Sequence, residues 1–138
     1  TISLPFRGSI PSNVLAVVRA QLDAYCLHAT GKKSAQGRFF WSRRGRIITL
    51  SEQYLDTAGR LLRRDSGRFE YTTGLWYLYC LDPSGRWRRY TLAQPTQSFA
   101  VVFRCWREDV TGIFQPPRIR RSIEADIERE ALAVLVGG

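Results

Sequence analysis

Methionine is absent from this chain, histidine occurs once, and cysteine occurs only three times. Each scarcity removes a class of chemistry. With His28 as the sole imidazole, there is little from which to build a nucleophile-His-acid hydrolase or a His-Glu-x-x-His zinc helix. His28 falls at the polar end of the first expected helix, where a surface or capping role is the ordinary one. No glycine-rich phosphate loop and no nucleophile elbow occur. Cys26, Cys80 and Cys105 are odd in number, far apart and outside any Cys-x-x-Cys pair, which disfavours a disulfide framework. Their apolar or aromatic neighbours suit buried thiols that pack as small hydrophobes. A zinc site made from Cys26, His28, Cys80 and Cys105 has suitable ligand types but no supporting local spacing, so neither a metal nor another cofactor is expected. No apolar run approaches the roughly eighteen residues of a membrane span, and the first ten residues lack the layout of a secretion signal. The expectation is a cytoplasmic protein with no membrane partner.

What is present is a domain-sized chain of 138 residues, 44% hydrophobic and 24% charged, with 21 Lys and Arg against 12 Asp and Glu. It is too apolar and too aromatic for a disordered basic tail, and its length argues against two full domains. The net charge is +9. That charge is a statement about partners, not about fold.

Pro5, Gly8 and Pro11 keep the start irregular. Ser12 or Asn13 then caps a helix read from about Asn13 to His28, with Val14, Leu15, Val18, Leu22, Tyr25 and Cys26 forming one apolar face. Beyond Gly31 the pattern changes to short aromatic and β-branched runs separated by turns, the mark of an antiparallel meander. Strands are expected over Gly37 to Ser42, Ile47 to Tyr54, Arg68 to Thr73, Leu75 to Leu81 and Arg86 to Leu92. Arg60 to Asp65 is read as a polar connection, either a short loop or the ends of two strands, and Asp82-Pro83-Ser84-Gly85 as a turn. Leu75 to Leu81 is apolar on both sides, which predicts a central strand with a helix on each face. Ser98 caps a second helix on Phe99, Val102, Phe103 and Trp106 that ends by Gly112. A brief edge strand follows at Gly112 to Phe114. Pro116-Pro117 marks a boundary, and Arg118 to Val136 reads as an amphipathic helix. The fold class is α+β: an N-terminal helix, a four- or five-stranded antiparallel meander sheet, a packing helix and an appended C-terminal helix. Residues 1–115 form the domain and 116–138 the helical extension.

Five segments carry a family resemblance: Leu22-Asp23-Ala24-Tyr25-Cys26, Ile47-Ile48-Thr49-Leu50-Ser51-Glu52, Trp76-Tyr77-Leu78-Tyr79, Gly85-Arg86-Trp87-Arg88-Arg89-Tyr90 and Asp109-Val110-Thr111-Gly112-Ile113-Phe114. In order and spacing, over about residues 12 to 115, they resemble the bacterial domain-of-unknown-function family 3024. The chain departs from that pattern in two places. Its second strand does not run on into an Arg-Pro-containing segment, and the helix after Pro116-Pro117 is an addition. The resemblance implies an architecture and carries no activity with it.

The arginines are the most informative functional feature. Arg43, Arg44 and Arg46 follow Trp41 in the first hairpin, Arg63 and Arg64 lie in the next connection, and Arg86, Arg88 and Arg89 interleave with Trp87 on the last strand. A guanidinium forks onto phosphate oxygens and an indole stacks on unpaired bases, so these ten residues are the candidate nucleic-acid contacts, with DNA or RNA as partner. The plainer reading is that the arginines are solvated or paired with carboxylates while the aromatics fill the core. Two of Glu52, Glu70 and Asp82 could meet across the sheet as an acid/base or metal pair, but such residues more often pair with arginine, and no catalytic or metal-binding residue is assigned. Other functional classes are a self-assembling module that dimerises through Ile119, Ile123, Ile127 and Leu135, a small basic ribonuclease-like toxin without a visible catalytic set, and a small-ligand pocket between helix and sheet.

Overall fold

The computed structural model describes residues 9–32 and 38–115, with side chains placed for all but 29–32. The order is α1 (Ser12–Lys32), β1 (Arg38–Arg44), β2 (Ile47–Leu55), β3 (Leu61–Thr72), β4 (Leu75–Leu81), β5 (Trp87–Arg89) and α2 (Phe99–Glu108). The strands form one antiparallel sheet in the order β1-β2-β3-β4-β5, the meander expected of an α+β chain. Among the described residues, no helix is long and apolar enough to cross a membrane.

Both helices lie on the same side of the sheet. The stripe Val14, Leu15, Val18, Leu22, Tyr25 and Cys26 turns α1 inward, with Val18 and Leu22 fully buried. In α2 the buried residues are Phe99, Val102, Phe103 and Trp106, capped by Ser98, whose Oγ accepts from the Val101 N–H. They meet Ile48 and Leu50 of β2, Phe69 of β3, and Trp76 and Leu78 of β4. Tyr25 of α1 packs edge-on against both Phe103 and Trp106, so the helices close over one continuous core. A helix on each face of β4 is therefore corrected: among the described residues the opposite face carries none. The outer side of β4 is instead roofed by polar groups, Arg89 over Tyr77 and Glu70 beside Tyr79. α2 ends at Glu108, short of Gly112, because Asp109 itself adopts the left-handed conformation (φ 43°) and its N–H closes on the Cys105 carbonyl. Residues 112–114 form turns and no edge strand; Phe114 tucks under Tyr90.

The third strand is twice as long as expected. Of the two readings of Arg60 to Asp65, the loop is corrected: the turn comes earlier, at Asp56 to Arg60, and Leu61 to Asp65 are the start of β3. Asp56 Oδ1 accepts the N–H groups of Ala58 and Arg60, while Gly59 takes φ 81°. The same Asp-x-x-Gly-Arg chemistry recurs at Asp82, which accepts from Ser84 and Arg86 with Gly85 at φ 83°. Hydrogen bonds from Ser84, Arg88 and Arg86 hold the Asp82 carboxyl well below the usual carboxylate range. β5 is shorter than expected, Trp87–Arg89, because Tyr90 already turns inward to be buried.

A β-bulge interrupts the β2–β3 pairing. Leu50 faces Gly67 and Ser51 faces Asp65, leaving Ser66 as the extra residue. Ser66 is buried, donates to the Phe114 carbonyl (2.9 Å) and accepts from Trp106 Nε1 (3.2 Å). Gly67 leaves no room for a side chain, since a Cβ there would lie 2.7 Å from Trp106 Cδ1. Gly67→Ala is expected to cost roughly 1–3 kcal/mol, because a buried indole held between Phe39, Phe103 and Tyr25 cannot give way. A thermal melt checks it; an unchanged midpoint would refute the close approach.

Candidate nucleic-acid interface

Alternation along the strands, shifted once by the bulge, decides which side chains share the open face, the side of the sheet on which no helix packs among the described residues. Cross-strand registers put Arg38, Phe40, Ser42 and Arg44 of β1 there, with Ile47, Thr49, Ser51 and Gln53 of β2. β3 contributes Arg63 and Asp65 before the bulge, then Arg68 and Glu70 after it. β4 adds Tyr77 and Tyr79, and β5 adds Trp87 and Arg89. In an unbroken strand Arg63 and Arg68, five positions apart, would point to opposite sides. The bulge is what gathers them, and in the same movement it directs Phe69 into the core.

Three arginines of this face lie over rings of the same face. Arg63 Cζ is 5.4 Å from the Phe40 centroid, Arg68 Cζ 4.2 Å from Trp87, and Arg89 Cζ 4.4 Å from Tyr77. Arg44, Arg63 and Arg68 also border a groove of about 430 Å³ with Ser42, Ile47, Thr49, Ser51 and Asp65. Among the described residues none of these three arginines makes an ion pair, whereas Arg60, Arg88 and Arg104 do. The carboxylates of the face are engaged: Ser51 Oγ donates to Asp65 Oδ1 (2.9 Å) and Tyr79 Oη to Glu70 Oε1 (3.2 Å). Burial and the Glu70 charge push the Tyr79 hydroxyl above its ordinary pKa. The arrangement is a cationic, partly aromatic surface suited to phosphates and flat heterocycles.

The ten candidate residues do not form one surface. Arg44, Arg63, Trp87 and Arg89 share the open face. Trp41 and Arg64 lie on the helix side: Trp41 Nε1 donates to Asp23 Oδ1 (2.6 Å) under the Arg19 guanidinium, and Arg64 donates to the Phe114 carbonyl (3.1 Å). Arg43 faces the helix side of the edge strand, opposite Ile48, and reaches the Gly45 carbonyl. Arg46 and Arg86 sit in turns, and Arg88, opposite Cys80, is clasped by Asp82. Arg38 and Arg68, which belong to the sequence's first and second arginine clusters but not to the ten, also lie on this face, and Phe40, Tyr77 and Tyr79 are members that sequence reading does not single out. Ile119, Ile123, Ile127 and Leu135 lie outside the described residues.

The other expected sites are not assembled. Glu52 is buried on the helix side, Glu70 is on the open face and Asp82 is in a turn, so no two of them pair. Among the described residues no three His, Cys, Asp or Glu side chains converge on a metal-sized site, and His28 is exposed. Burial beside Asp23 pushes the Cys26 thiol up to about 11. At pH 8 its thiolate is then about a hundredfold scarcer than that of an ordinary cysteine. Iodoacetamide labelling read by peptide mass spectrometry is expected to be slow at Cys26 and to accelerate as pH rises; fast labelling at pH 8 would contradict this.

No curated protein and no solved structure matches the chain. The family described as Domain of unknown function (DUF3024) matches residues 11–116, from the start of α1 through the turn that follows α2, and the chain belongs to that family.

Proposed function

We propose that the open face of the sheet binds single-stranded nucleic acid, without chemistry on it. The observation that carries this reading is the row of three guanidiniums laid over Phe40, Trp87 and Tyr77 on one open face. A guanidinium resting on a ring has its direction fixed, so less freedom is lost when its free edge meets a phosphate or its outer face meets a base. A sheet whose aromatics and arginines face solvent accepts splayed, unpaired bases; the rigid duplex hides those faces inside its stack. The net charge of +9 supports attraction to a polyanion at long range.

The test is an anisotropy titration of labelled single- and double-stranded DNA and RNA at two salt concentrations. Single strands are expected to bind more tightly than duplex, with a steep loss of affinity between about 50 and 200 mM salt. Absence of binding at the lower salt would overturn the reading.

A further inference from the structure

We propose that the groove between β1, β2 and β3 is a subsite for a terminal phosphate monoester, the place where the phosphorylated end of a bound strand is seated. This rests on the reading of the open face as a nucleic-acid surface and adds to it an end preference. Arg44, Arg63 and Arg68 border the groove and Asp65 is its one carboxylate, which leaves a local excess of two positive charges. An internal phosphodiester brings one negative charge, whereas a terminal monoester carries about −1.5 to −2 at pH 7. The dianion is the better match. The hydroxyls of Ser42 and Thr49 on the groove's edge add donors of the kind phosphate oxygens accept, while that of Ser51 is already given to Asp65.

Arg68 gives a second, independent indication. Its Nε is buried and has no hydrogen-bond partner, although its guanidinium is held over Trp87 and it makes no ion pair among the described residues. Buried donors are ordinarily satisfied, so an unpaired one on a cationic face calls for a partner that a water or a bound anion can supply. Glu70, the other carboxylate of the strand's outer face, accepts from Tyr79. The volume of about 430 Å³ is within the range of small-ligand sites and admits the sugar that follows the phosphate. From there the Arg63 and Phe40 pair is placed to meet the first base.

The experiment compares one short single strand in three forms, 5′-phosphorylated, 3′-phosphorylated and hydroxyl at both ends, against the full chain and its Arg44→Gln and Arg68→Gln variants. One phosphorylated form is expected to bind about tenfold more tightly than the hydroxyl form, and which form does so fixes the end. Both variants are expected to lose that advantage, read within each variant as the ratio of the two forms' affinities, because Arg68→Gln also weakens the hydroxyl form through the open face; Arg44 is exposed, so its replacement leaves the packing undisturbed. Equal affinity for all three forms, or an advantage that survives in both variants, overturns the subsite and leaves the surface reading standing. If no strand binds, the surface reading fails. The subsite then stands only if inorganic phosphate alone shifts the Arg68 Nε–H resonance, and falls if it does not.

Discussion

Replacing Arg63, Arg68 and Arg89 together with glutamine is expected to weaken single-strand binding by about a hundredfold or more and to flatten its salt dependence. Each guanidinium that contacts a phosphate releases roughly 0.7 of a counterion from a single strand, so three lost contacts lower the slope of log affinity against log salt by about 2. The loss includes stacking, because each of the three lies over a ring on the same face. The comparison that gives the result its meaning is the pair Arg86→Gln and Arg88→Gln. Those side chains are as cationic but sit at the β4–β5 turn, with Arg88 tied to Asp82. Their replacement removes two charges from the molecule without touching the open face, and is expected to reduce affinity only a few-fold. If both sets weakened binding equally, net charge would be the cause and the face would have no special role. Trp41→Phe supplies a second control, since its indole is committed to Asp23 on the helix side.

Trp76→Ala is expected to cost about 3–5 kcal/mol, the range for removing a fully buried large aromatic. Trp76 has no exposed surface and its ring is 5.0 Å from Phe99 and 4.9 Å from Tyr71. Its backbone also exchanges hydrogen bonds with Thr96 in an antiparallel bridge that holds the chain alongside the start of β4 before α2 begins. A domain of this size has about 5–15 kcal/mol in all, so the variant is expected to melt many degrees lower or fail to fold. Trp87→Ala is the informative contrast. Trp87 is half-buried on the open face beneath Arg68, so its loss is expected to spare most of the stability and to weaken nucleic-acid binding instead. Denaturant melts and anisotropy on the two variants separate a tryptophan that holds the fold from one that serves the surface. A Trp87→Ala variant as unstable as Trp76→Ala would remove that distinction.

Much of the fold was legible because helical periodicity survives any tertiary arrangement. The inward residues of α1 and α2 are those that recur at three- and four-residue steps, and β4 spans Leu75 to Leu81 as its composition indicates. The arginine surface was less legible for a single reason. Period-two alternation assigns faces only while a strand is regular, and Ser66 breaks the count in the middle of β3. Read without the bulge, Arg63 and Arg68 part company and Arg64 joins Arg68. A second Asp-x-x-Gly-Arg turn was written in the chain at Asp56, identical in its end residues to the one at Asp82. The proline at position 83 made only the latter conspicuous. Nor does a strand apolar on both sides require a helix on both sides: Tyr77 and Tyr79 have ring surface that an arginine or a carboxylate can cover as well as a helix can.

Because each strand pairs with its immediate successor, every ladder of this sheet can zip from its own turn. The loops to be closed are short, so little chain entropy is lost before the first pairs form. Contact order is kept low for a sheet of five strands, which places folding on the faster side of what β-rich domains achieve. Among the described residues, the ring contacts most widely separated along the chain are those of Tyr25 with Phe103 and Trp106, which join α1 to α2 across the whole meander. Docking of the helices is thus the step that makes the transition cooperative. The open face, which takes no part in that step, is left free to vary in sequence without slowing the chain's collapse.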